Sequence, residues 1–233
     1  MNIGILGTGV VGQALAGKLS ALGNNVVVGT RNVAGTLANT SPNQYGMPPY
    51  SAWQKDHPRV RLATFAEAAA HGELVVNCIS GTASLEALHT AGQKNLDGKI
   101  LVDVSNPLDF SKGFPPSLSV CNTDSIGEQI QRAYPKTRVV KTLNTTNAFV
   151  MVNPAAVPGD HDLFLSGNDE GAKADVKRLL VSLGWKESNI IDLGDITTAR
   201  GVEMLLPLWV RVFGRLQNPM FNFHVVVAPP PNK

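Results

Sequence analysis

The sequence predicts an α/β protein built on a doubly wound, mainly parallel sheet. Short apolar segments rich in β-branched residues alternate with segments of helical spacing, which is typical of a parallel sheet with helices on both faces. The first apolar segment also runs directly into a glycine-rich turn and then a helix. The predicted strands are residues 2–6, 25–29, 60–63, 74–79, 99–104 and 138–143, and the helices between them lie near 11–22, 64–70, 83–92 and 124–133.

The turn after the first strand has the sequence Gly7-Thr8-Gly9-Val10-Val11-Gly12. Gly7 would allow the tight turn, Gly9 would let the backbone approach a pyrophosphate, and Gly12 would let the helix pack closely on the strand. This spacing alone is weak evidence, and an ordinary glycine turn is the alternative. Here the required strand precedes the turn and the required helix follows it. We therefore expect a Rossmann-type dinucleotide-binding domain.

The end of the second strand predicts which dinucleotide binds. Proteins that bind the unphosphorylated cofactor carry Asp or Glu there, about twenty residues past the turn, for the ribose 2′-hydroxyl. This chain has Thr30-Arg31-Asn32 and no acidic residue. Arg31 would offer planar charged donors to a 2′-phosphate, and its neighbours would add short polar donors. The sequence therefore favours NADP(H), with a solvated arginine at a strand end as the alternative.

The connection from 33 to 59 contains Pro42, Pro48, Pro49 and Pro58, and we expect no regular helix in it. Long loops of this kind are often functional. Two interpretations are open, a cover over the adenine end of the cofactor or a surface loop anchored by Trp53, and we prefer the second.

Three later strand ends should meet the cofactor. A doubly wound sheet binds ligands outside the carboxyl ends of its strands, beside the first strand. The segments expected there are Ser80-Gly81-Thr82, Ser105-Asn106-Pro107 and Asn144-Thr145-Thr146.

Beyond residue 150 the sequence predicts a small C-terminal α/β lobe. It has a strand at 161–166, a helix at 169–183, a short strand at 189–192 and a helix near 197–216 that Pro207 should bend. We expect an NADP-binding domain at 1–149, a lobe at 150–225 and a disordered tail at 226–233. The apolar stripe of the last helix would be core or a dimer seam, and consists of Leu205, Leu208, Trp209, Val212, Phe213 and Leu216.

Composition favours a soluble protein with small-molecule partners. Hydrophobic residues make up 43% and charged residues 16%, and the formal net charge is +2 without a basic cluster. Nothing in this balance calls for nucleic acid or a membrane surface. No apolar stretch approaches ~20 residues and no signal peptide is visible, so we expect the cytoplasm. Cys78, in an apolar run, should be a buried and inert thiol.

No catalytic side chain can be assigned from the sequence. The Tyr-x-x-x-Lys pair of alcohol dehydrogenases is absent, since Tyr134 has Lys136 at the wrong offset. The five histidines are scattered and are expected on the surface or in packing, and metal-ligand spacings and a Gly-x-Ser-x-Gly elbow are missing. Hydride transfer to a flat ring needs mainly positioning and exclusion of water. A flavin-like acceptor would suit this chain.

Several segments, in order, resemble the family of NADPH-dependent reductases of the deazaflavin coenzyme F420. The glycine turn is shared with many Rossmann proteins, whereas the Gly-Thr-Arg, Ser-Asn-Pro and Lys-x-x-Asn-Thr strand ends are more specific. The resemblance covers about residues 1–225 and departs in the extended 33–59 connection. Beyond the turn, its segments are Val28-Gly29-Thr30-Arg31, Asp103-Val104-Ser105-Asn106-Pro107-Leu108, Val140-Lys141-Thr142-Leu143-Asn144-Thr145, Gly167-Asn168-Asp169 and Asp192-Leu193-Gly194 with Ala199-Arg200 and Glu203.

The resemblance implies that the turn holds the pyrophosphate and that Thr30, Arg31 and Asn32 bind the 2′-phosphate. It also implies that residues 144–146 border the nicotinamide, that the lobe closes a pocket for a planar acceptor, and that the protein is a homodimer. The cofactor-binding residues expected for NADP, from motif and resemblance together, are Gly7, Thr8, Gly9, Val10, Val11, Gly12, Thr30, Arg31, Asn32, Ser80, Gly81, Asn106, Pro107, Asn144, Thr145 and Thr146.

The leading hypothesis is an NADP(H)-dependent oxidoreductase that passes a hydride between the nicotinamide and a flavin, deazaflavin or other planar acceptor. A non-catalytic NADP(H)-sensing protein is the alternative from another class. A pyrroline- or imine-type reductase ranks last, because it usually has a longer helical C-terminal domain.

Overall fold

A computed structural model describes residues 1–43 and 46–229. Its strands and helices follow the predicted alternation. The strands are β1 (Asn2–Leu6), β2 (Asn25–Thr30), β3 (Arg61–Thr64), β4 (Leu74–Asn77), β5 (Ile100–Asp103), β6 (Leu108–Asp109), β7 (Ser117–Leu118), β8 (Arg138–Thr142), β9 (Leu163–Gly167) and β10 (Ile190–Asp192). The helices are α1 (Val10–Ala21), α2 (Val33–Ala38), α3 (Tyr50–Asp56), α4 (Phe65–His71), α5 (Gly81–Ala91), α6 (Ile126–Ala133), α7 (Ala148–Val152), α8 (Glu170–Leu183), α9 (Ala199–Met204) and α10 (Leu206–Leu216).

Eight strands form one sheet in the order β10-β9-β8-β5-β4-β1-β2-β3. The chain moves outward from β1 to β3 and then returns to the other side of β1 at β4, which makes the β1/β4 boundary the topological switch point. In this sheet the neighbours from β3 to β8 are parallel, β8 and β9 pair antiparallel, and β9 and β10 are parallel. Strands β6 and β7 form a separate antiparallel pair. The predicted doubly wound α/β fold is confirmed. The segment beyond 150 adds β9 and β10 to this same sheet.

The two faces of the sheet bury separate apolar clusters. On β5, Ile100 and Val102 belong to one cluster and Leu101 to the other, as the two-residue period of a strand requires. Gly4 of β1 allows a close approach on the second face, because a Cβ there would lie 2.2 Å from the Ala68 carbonyl oxygen of α4. This packing fixes the carboxyl end of β1, where the glycine turn begins.

The 33–59 connection contains two short helices, α2 and α3, so the expectation of no regular helix was wrong. The prolines allow them because Pro49 stands at the N-cap of α3, where the missing amide costs nothing. Asn32 starts α2, its Oδ1 accepting from the Gly35 amide at 2.9 Å. Trp53 stacks on His57 at 4.1 Å between ring centroids. Residues 44 and 45 lie outside the described residues.

The predicted last helix is divided at Leu205 into α9 and α10, with Pro207 in the first turn of α10. Leu206 and Val210 are its buried residues, at 6% exposure each. Two members of the predicted stripe are instead largely exposed, Leu208 at 51% and Leu216 at 56%. The stripe is therefore only partly covered in the monomer.

The segment after α10 returns to the start of β9. The Asp162 amide donates to the Phe223 carbonyl at 2.8 Å, and Asp162 Oδ2 accepts from the Val225 amide at 2.6 Å. Of the expected tail, residues 230–233 lie outside the described residues. Within the described part of the chain, no helix is both long and apolar enough to cross a membrane.

Candidate functional site

The turn between β1 and α1 is shaped by its glycines. Gly7 has a φ of +117°, which disfavours any side chain, and its amide donates to the Gly29 carbonyl at 3.0 Å. A Cβ on Gly12 would lie 2.0 Å from the Gly7 carbonyl oxygen, so α1 packs directly on the turn. A Cβ on Gly9 would meet nothing within 4 Å. The turn therefore leaves open space at Gly9, whereas Gly7 and Gly12 are needed for the conformation and packing of the turn itself.

The N-terminus of α1 has the character of an anion site. Gly9 is its N-cap and offers no side-chain cap, and the first turn holds no acidic residue. The amides of Val10 and Val11 therefore have no side-chain acceptor from the cap, and the positive end of the 12-residue helix adds to their pull on an anion. Gln13 steadies the turn by donating from Nε2 to the Thr8 carbonyl at 2.9 Å.

Arg31 stands between two cavities at the end of β2. One, of about 380 Å³, extends toward α2 and α3, and the other, of about 330 Å³, extends toward α5. Thr8, Gly9, Thr30 and Arg31 line both. Among the described residues, the exposed Arg31 side chain makes no hydrogen bond or ion pair. Its guanidinium is therefore available to a ligand that occupies either cavity.

The neighbours of Arg31 are already engaged within the protein. The Thr30 hydroxyl lies 2.8 Å from that of Thr36, and Asn32 caps α2 as described above.

Sequence reasoning missed Tyr50, which lines the larger cavity and is 4% exposed. Its hydroxyl has no partner among the described residues, and burial raises its pKa. No sequence signal marked Tyr50, because the helix that positions it was not expected.

The smaller cavity is bordered by the residues that follow β4. Ser80 is exposed there and lies at the N-cap of α5. Gly81 instead allows α5 to pack closely on the strand end after β5, since its amide donates to the Asn106 carbonyl at 3.0 Å and a Cβ would lie 2.4 Å from that oxygen. Cys78 also lines this cavity, and burial, with a smaller contribution from Asp103, raises the pKa of its thiol. A protonated thiol is a poor nucleophile, in keeping with the predicted inert cysteine. The Cys78 residue is half-buried, however, and not fully buried as predicted, because it lines this cavity.

The strand ends after β5 and β8 meet through a pair of asparagines. Asn144 Nδ2 donates to Asn106 Oδ1 at 2.9 Å, and Asn106 Nδ2 donates to the Asn144 carbonyl at 2.8 Å. Asn144 Nδ2 also reaches the Val202 carbonyl at 3.1 Å and so connects the pair to α9. The structure thus brings together two strand ends that were expected to meet the cofactor, of which residues 144–146 were expected to border the nicotinamide.

Two buried hydroxyls beside this pair have no partner among the described residues. They belong to Ser105, which is 3% exposed, and Thr146, which is 7% exposed. Buried polar groups are nearly always hydrogen-bonded, so both hydroxyls are suited to a polar ligand group or an ordered water. Thr145 is 2% exposed and Pro107 is buried, with its carbonyl accepting from the Ser119 amide at 2.8 Å. Thr145 and Pro107 are therefore packed within the protein beside the unpartnered hydroxyls of Ser105 and Thr146.

A buried ion cluster lies behind the asparagine pair, and sequence reasoning missed it. Lys141 of β8 is fully buried, with Nζ 2.8 Å from Asp103 Oδ2 and 2.8 Å from Glu203 Oε1. Burial alone would lower the pKa of this ammonium, but the two carboxylates outweigh burial and raise it. The signal was a lysine inside an apolar strand, which requires a buried partner.

Four of the five histidines have structural partners among the described residues. His57 stacks on Trp53, His71 contacts the Asn25 carbonyl at 3.0 Å, and His161 contacts the Pro154 carbonyl at 3.1 Å. His224 lies 3.0 Å from Asp162 Oδ2. In the described parts of the chain, no group of three or more His, Cys, Asp or Glu side chains could hold a metal ion.

The chain is similar to a known protein family and to several proteins of known structure or function. The family described as NADP oxidoreductase, coenzyme F420-dependent, matches residues 2–107. A crystal structure from Arthrobacter sp. FB24, of a protein provisionally assigned as an F420-dependent NADP reductase, is 55% identical, with a TM-score of 0.93. That match covers 97% of this chain and 100% of the other.

More distant relatives are also similar over most of the chain. The F420-dependent NADP reductase of Methanothermobacter marburgensis is 25% identical over 216 residues, 91% of this chain and 92% of the relative. Rat metalloreductase STEAP3 is 28% identical over 212 residues, and the match spans 89% of this chain but only 38% of the rat protein. An imine reductase from Aspergillus terreus, at 20% identity, a TM-score of 0.61 and coverage of 93% of this chain and 62% of its own, shares the fold alone. The chain belongs to the F420-dependent NADP oxidoreductase family and is an NADP-dependent oxidoreductase.

Proposed function

We propose that this protein transfers a hydride between NADP(H) and a flat redox acceptor of the flavin or deazaflavin class, with F420 as the first candidate. The observation that carries the proposal is the asparagine pair with two buried, unpartnered hydroxyls next to it, those of Ser105 and Thr146, at the carboxyl edge that also holds the glycine turn. F420 comes first because the family and the reductase from Methanothermobacter are described by it.

The two phosphate groups and the adenine of the cofactor would bind at three places that the described residues leave open. The pyrophosphate would lie over Gly9 and accept from the amides at the start of α1. The 2′-phosphate would accept from the unpaired guanidinium of Arg31. The adenine would occupy the smaller cavity beside Ser80, on the other side of Arg31 from α2. In this assignment Gly7, Gly12 and Gly81 act by packing.

The nicotinamide would extend from the turn toward β5 and β8. When bound, NADP(H) supplies or accepts the hydride at this end. Asn106 and Asn144 hold each other in fixed orientation. The buried hydroxyls of Ser105 and Thr146, which have no partner among the described residues, would form hydrogen bonds with the carboxamide. The chain would increase the rate by orienting the two rings and excluding water, without a proton relay of its own. The segment 150–225 would close the acceptor side.

The direct test is anaerobic stopped-flow mixing of the protein and NADPH with F420, FMN, FAD and a quinone. We expect oxidation of NADPH, followed by its absorbance, to be fastest with a flavin or deazaflavin. Absence of oxidation above background with every acceptor would overturn the proposal. Tight NADPH binding without turnover would then favour the NADP(H)-sensing alternative.

We also propose that the protein is a homodimer and works in the cytoplasm. Leu208 and Leu216 leave an apolar strip on α10 that a second copy of the chain would cover. Both cysteines, Cys78 and Cys121, are free thiols, the state expected in a reducing compartment. Light scattering should give twice the monomer mass of 24.8 kDa for the wild type and a smaller mass for Leu208→Glu. A monomeric wild type would overturn the dimer.

A further inference from the structure

The buried cluster of Asp103, Lys141 and Glu203 holds two carboxylates but one ammonium. The three side chains are 0 to 1% exposed. Every described hydrogen bond to the carboxylates comes from a nitrogen donor. Asp103 Oδ1 accepts from Asn77 at 2.9 Å and the Ser105 amide at 3.2 Å, and Glu203 accepts from the α6 amides of Ile126 and Gly127 at 2.8 and 3.1 Å. These donors suit ionised carboxylates, which leaves the cluster with a formal charge of −1.

The cluster contacts the backbone of Ser105, whose buried hydroxyl has no partner among the described residues. Lys141 Nζ donates to the Ser105 carbonyl at 2.6 Å, and Asp103 accepts from the Ser105 amide, so both sides of this residue are tied to it. Glu203 follows Val202, whose carbonyl accepts from Asn144. Arg200 and Glu128, on the same helices α9 and α6 that contribute to the cluster's contacts, form an ion pair that is neutral in sum. The excess negative charge therefore borders the place proposed for the nicotinamide.

The two redox states of the cofactor differ in charge at this end. The nicotinamide ring is neutral in NADPH and becomes a cation in NADP⁺ when its hydride, two electrons and one proton, passes to the acceptor. A fixed negative charge in a buried environment stabilises a nearby cation more strongly than it would in water. The phosphates are the same in both states, so their contacts cancel when the two affinities are compared.

We propose that the Asp103–Lys141–Glu203 cluster is an electrostatic element that stabilises NADP⁺ relative to NADPH and so favours hydride donation by NADPH. This inference rests on the proposed function, because it uses the nicotinamide position assigned there. The three residues do not touch the reacting atoms in this assignment. They act through their field and through the backbone of Ser105.

The test measures the dissociation constants of NADP⁺ and NADPH separately, by calorimetry without an acceptor. Glu203→Gln and Asp103→Asn each remove one negative charge and keep the side-chain shape. Each should raise the ratio Kd(NADP⁺)/Kd(NADPH) by about five- to twentyfold. Glu170→Gln is the matched control, because it removes the same charge from a side chain that is 83% exposed and should leave the ratio unchanged.

If the cluster had a purely structural role, the two variants would bind NADP⁺ and NADPH more weakly by the same factor. An unchanged ratio Kd(NADP⁺)/Kd(NADPH) in these variants would therefore overturn the inference. The wild type provides a measurement that needs no variant, and it should bind NADP⁺ no more weakly than NADPH. A wild type that binds NADPH about tenfold more tightly would also overturn it. Failure of the proposed function would look different, as no binding of either nucleotide or no hydride transfer to any acceptor.

Discussion

Replacing Gly9 by alanine should separate cofactor binding from folding. The residue has φ −73° and ψ −178°, which alanine adopts without strain, and the added Cβ would meet no protein atom within 4 Å. We expect the free energy of unfolding to stay within about 0.5–1 kcal/mol of the wild type, with any gain coming from a stiffer unfolded chain. In the complex, however, the methyl group would occupy the open space assigned to the pyrophosphate.

The expected loss follows from the contacts that the methyl group would prevent. Hydrogen bonds from the backbone to a charged group contribute about 1.5–3 kcal/mol. Since about 1.4 kcal/mol corresponds to a factor of ten, NADPH binding should weaken about 10- to 100-fold. Calorimetric titration with NADPH and thermal denaturation without ligand measure the two effects on the same preparation.

Gly12→Ala is the contrasting variant, because its Cβ would lie 2.0 Å from the Gly7 carbonyl oxygen. Such overpacking should cost about 1–3 kcal/mol of stability. If Gly9→Ala bound NADPH with wild-type affinity, the pyrophosphate would not lie over this turn. If it unfolded the protein, the space at Gly9 would not be open.

Three further variants test other parts of the site and fold. Arg31→Asp should weaken NADPH binding about 100-fold with little effect on NADH, whereas the exposed control Arg59→Asp should change neither; equal losses for both nucleotides would contradict a 2′-phosphate contact. Asn144→Ala removes donors to Asn106 and Val202 and should cost about 2 kcal/mol of stability and slow hydride transfer at least about tenfold, while NADPH affinity changes little; unchanged single-turnover rates would exclude a positioning role. The hydrogen bonds from Arg132 lower the pKa of Asp124 from 3.8 to about 2, so this pair stabilises the fold above about pH 4 and loses its effect as the pH falls through 2. Asp124→Asn should therefore lower the free energy of unfolding at pH 7 by less than about 1 kcal/mol, because the pair is partly exposed, and thermal denaturation should show this as a slightly lower Tm. A Tm difference that persists below pH 2 would contradict this cause.

The sequence was most informative where one local rule decides the structure. The spacing of Gly7, Gly9 and Gly12 predicted the turn, because each glycine serves a separate local requirement. Gly7 has a positive φ, Gly12 packs against the Gly7 carbonyl, and Gly9 leaves open space beside the turn. A contact of Arg31 with the 2′-phosphate was predicted from the residue type at the end of β2. The structure places Arg31 there between two cavities. Both depend on neighbours only a few residues away along the chain.

Features that depend on distant partners could not be predicted in the same way. The sequence marked Lys141 as unusual only by its apolar surroundings, and its partners Asp103 and Glu203 come from β5 and α9. The helices α2 and α3 were missed because prolines were taken as breakers, although Pro49 stands at a helix start. The apolar stripe was predicted on one helix bent at Pro207, whereas the helix is divided at Leu205, and the buried residues of α10 are Leu206 and Val210.

A crystal structure with NADP⁺ bound would test the assignment most directly. We predict the 2′-phosphate within hydrogen-bond distance of the Arg31 guanidinium, the pyrophosphate over Gly9, and the nicotinamide carboxamide in contact with Ser105 or Thr146. A nucleotide bound with its nicotinamide away from the asparagine pair, or with its 2′-phosphate turned away from Arg31, would contradict both the cofactor site and the hydride transfer built on it.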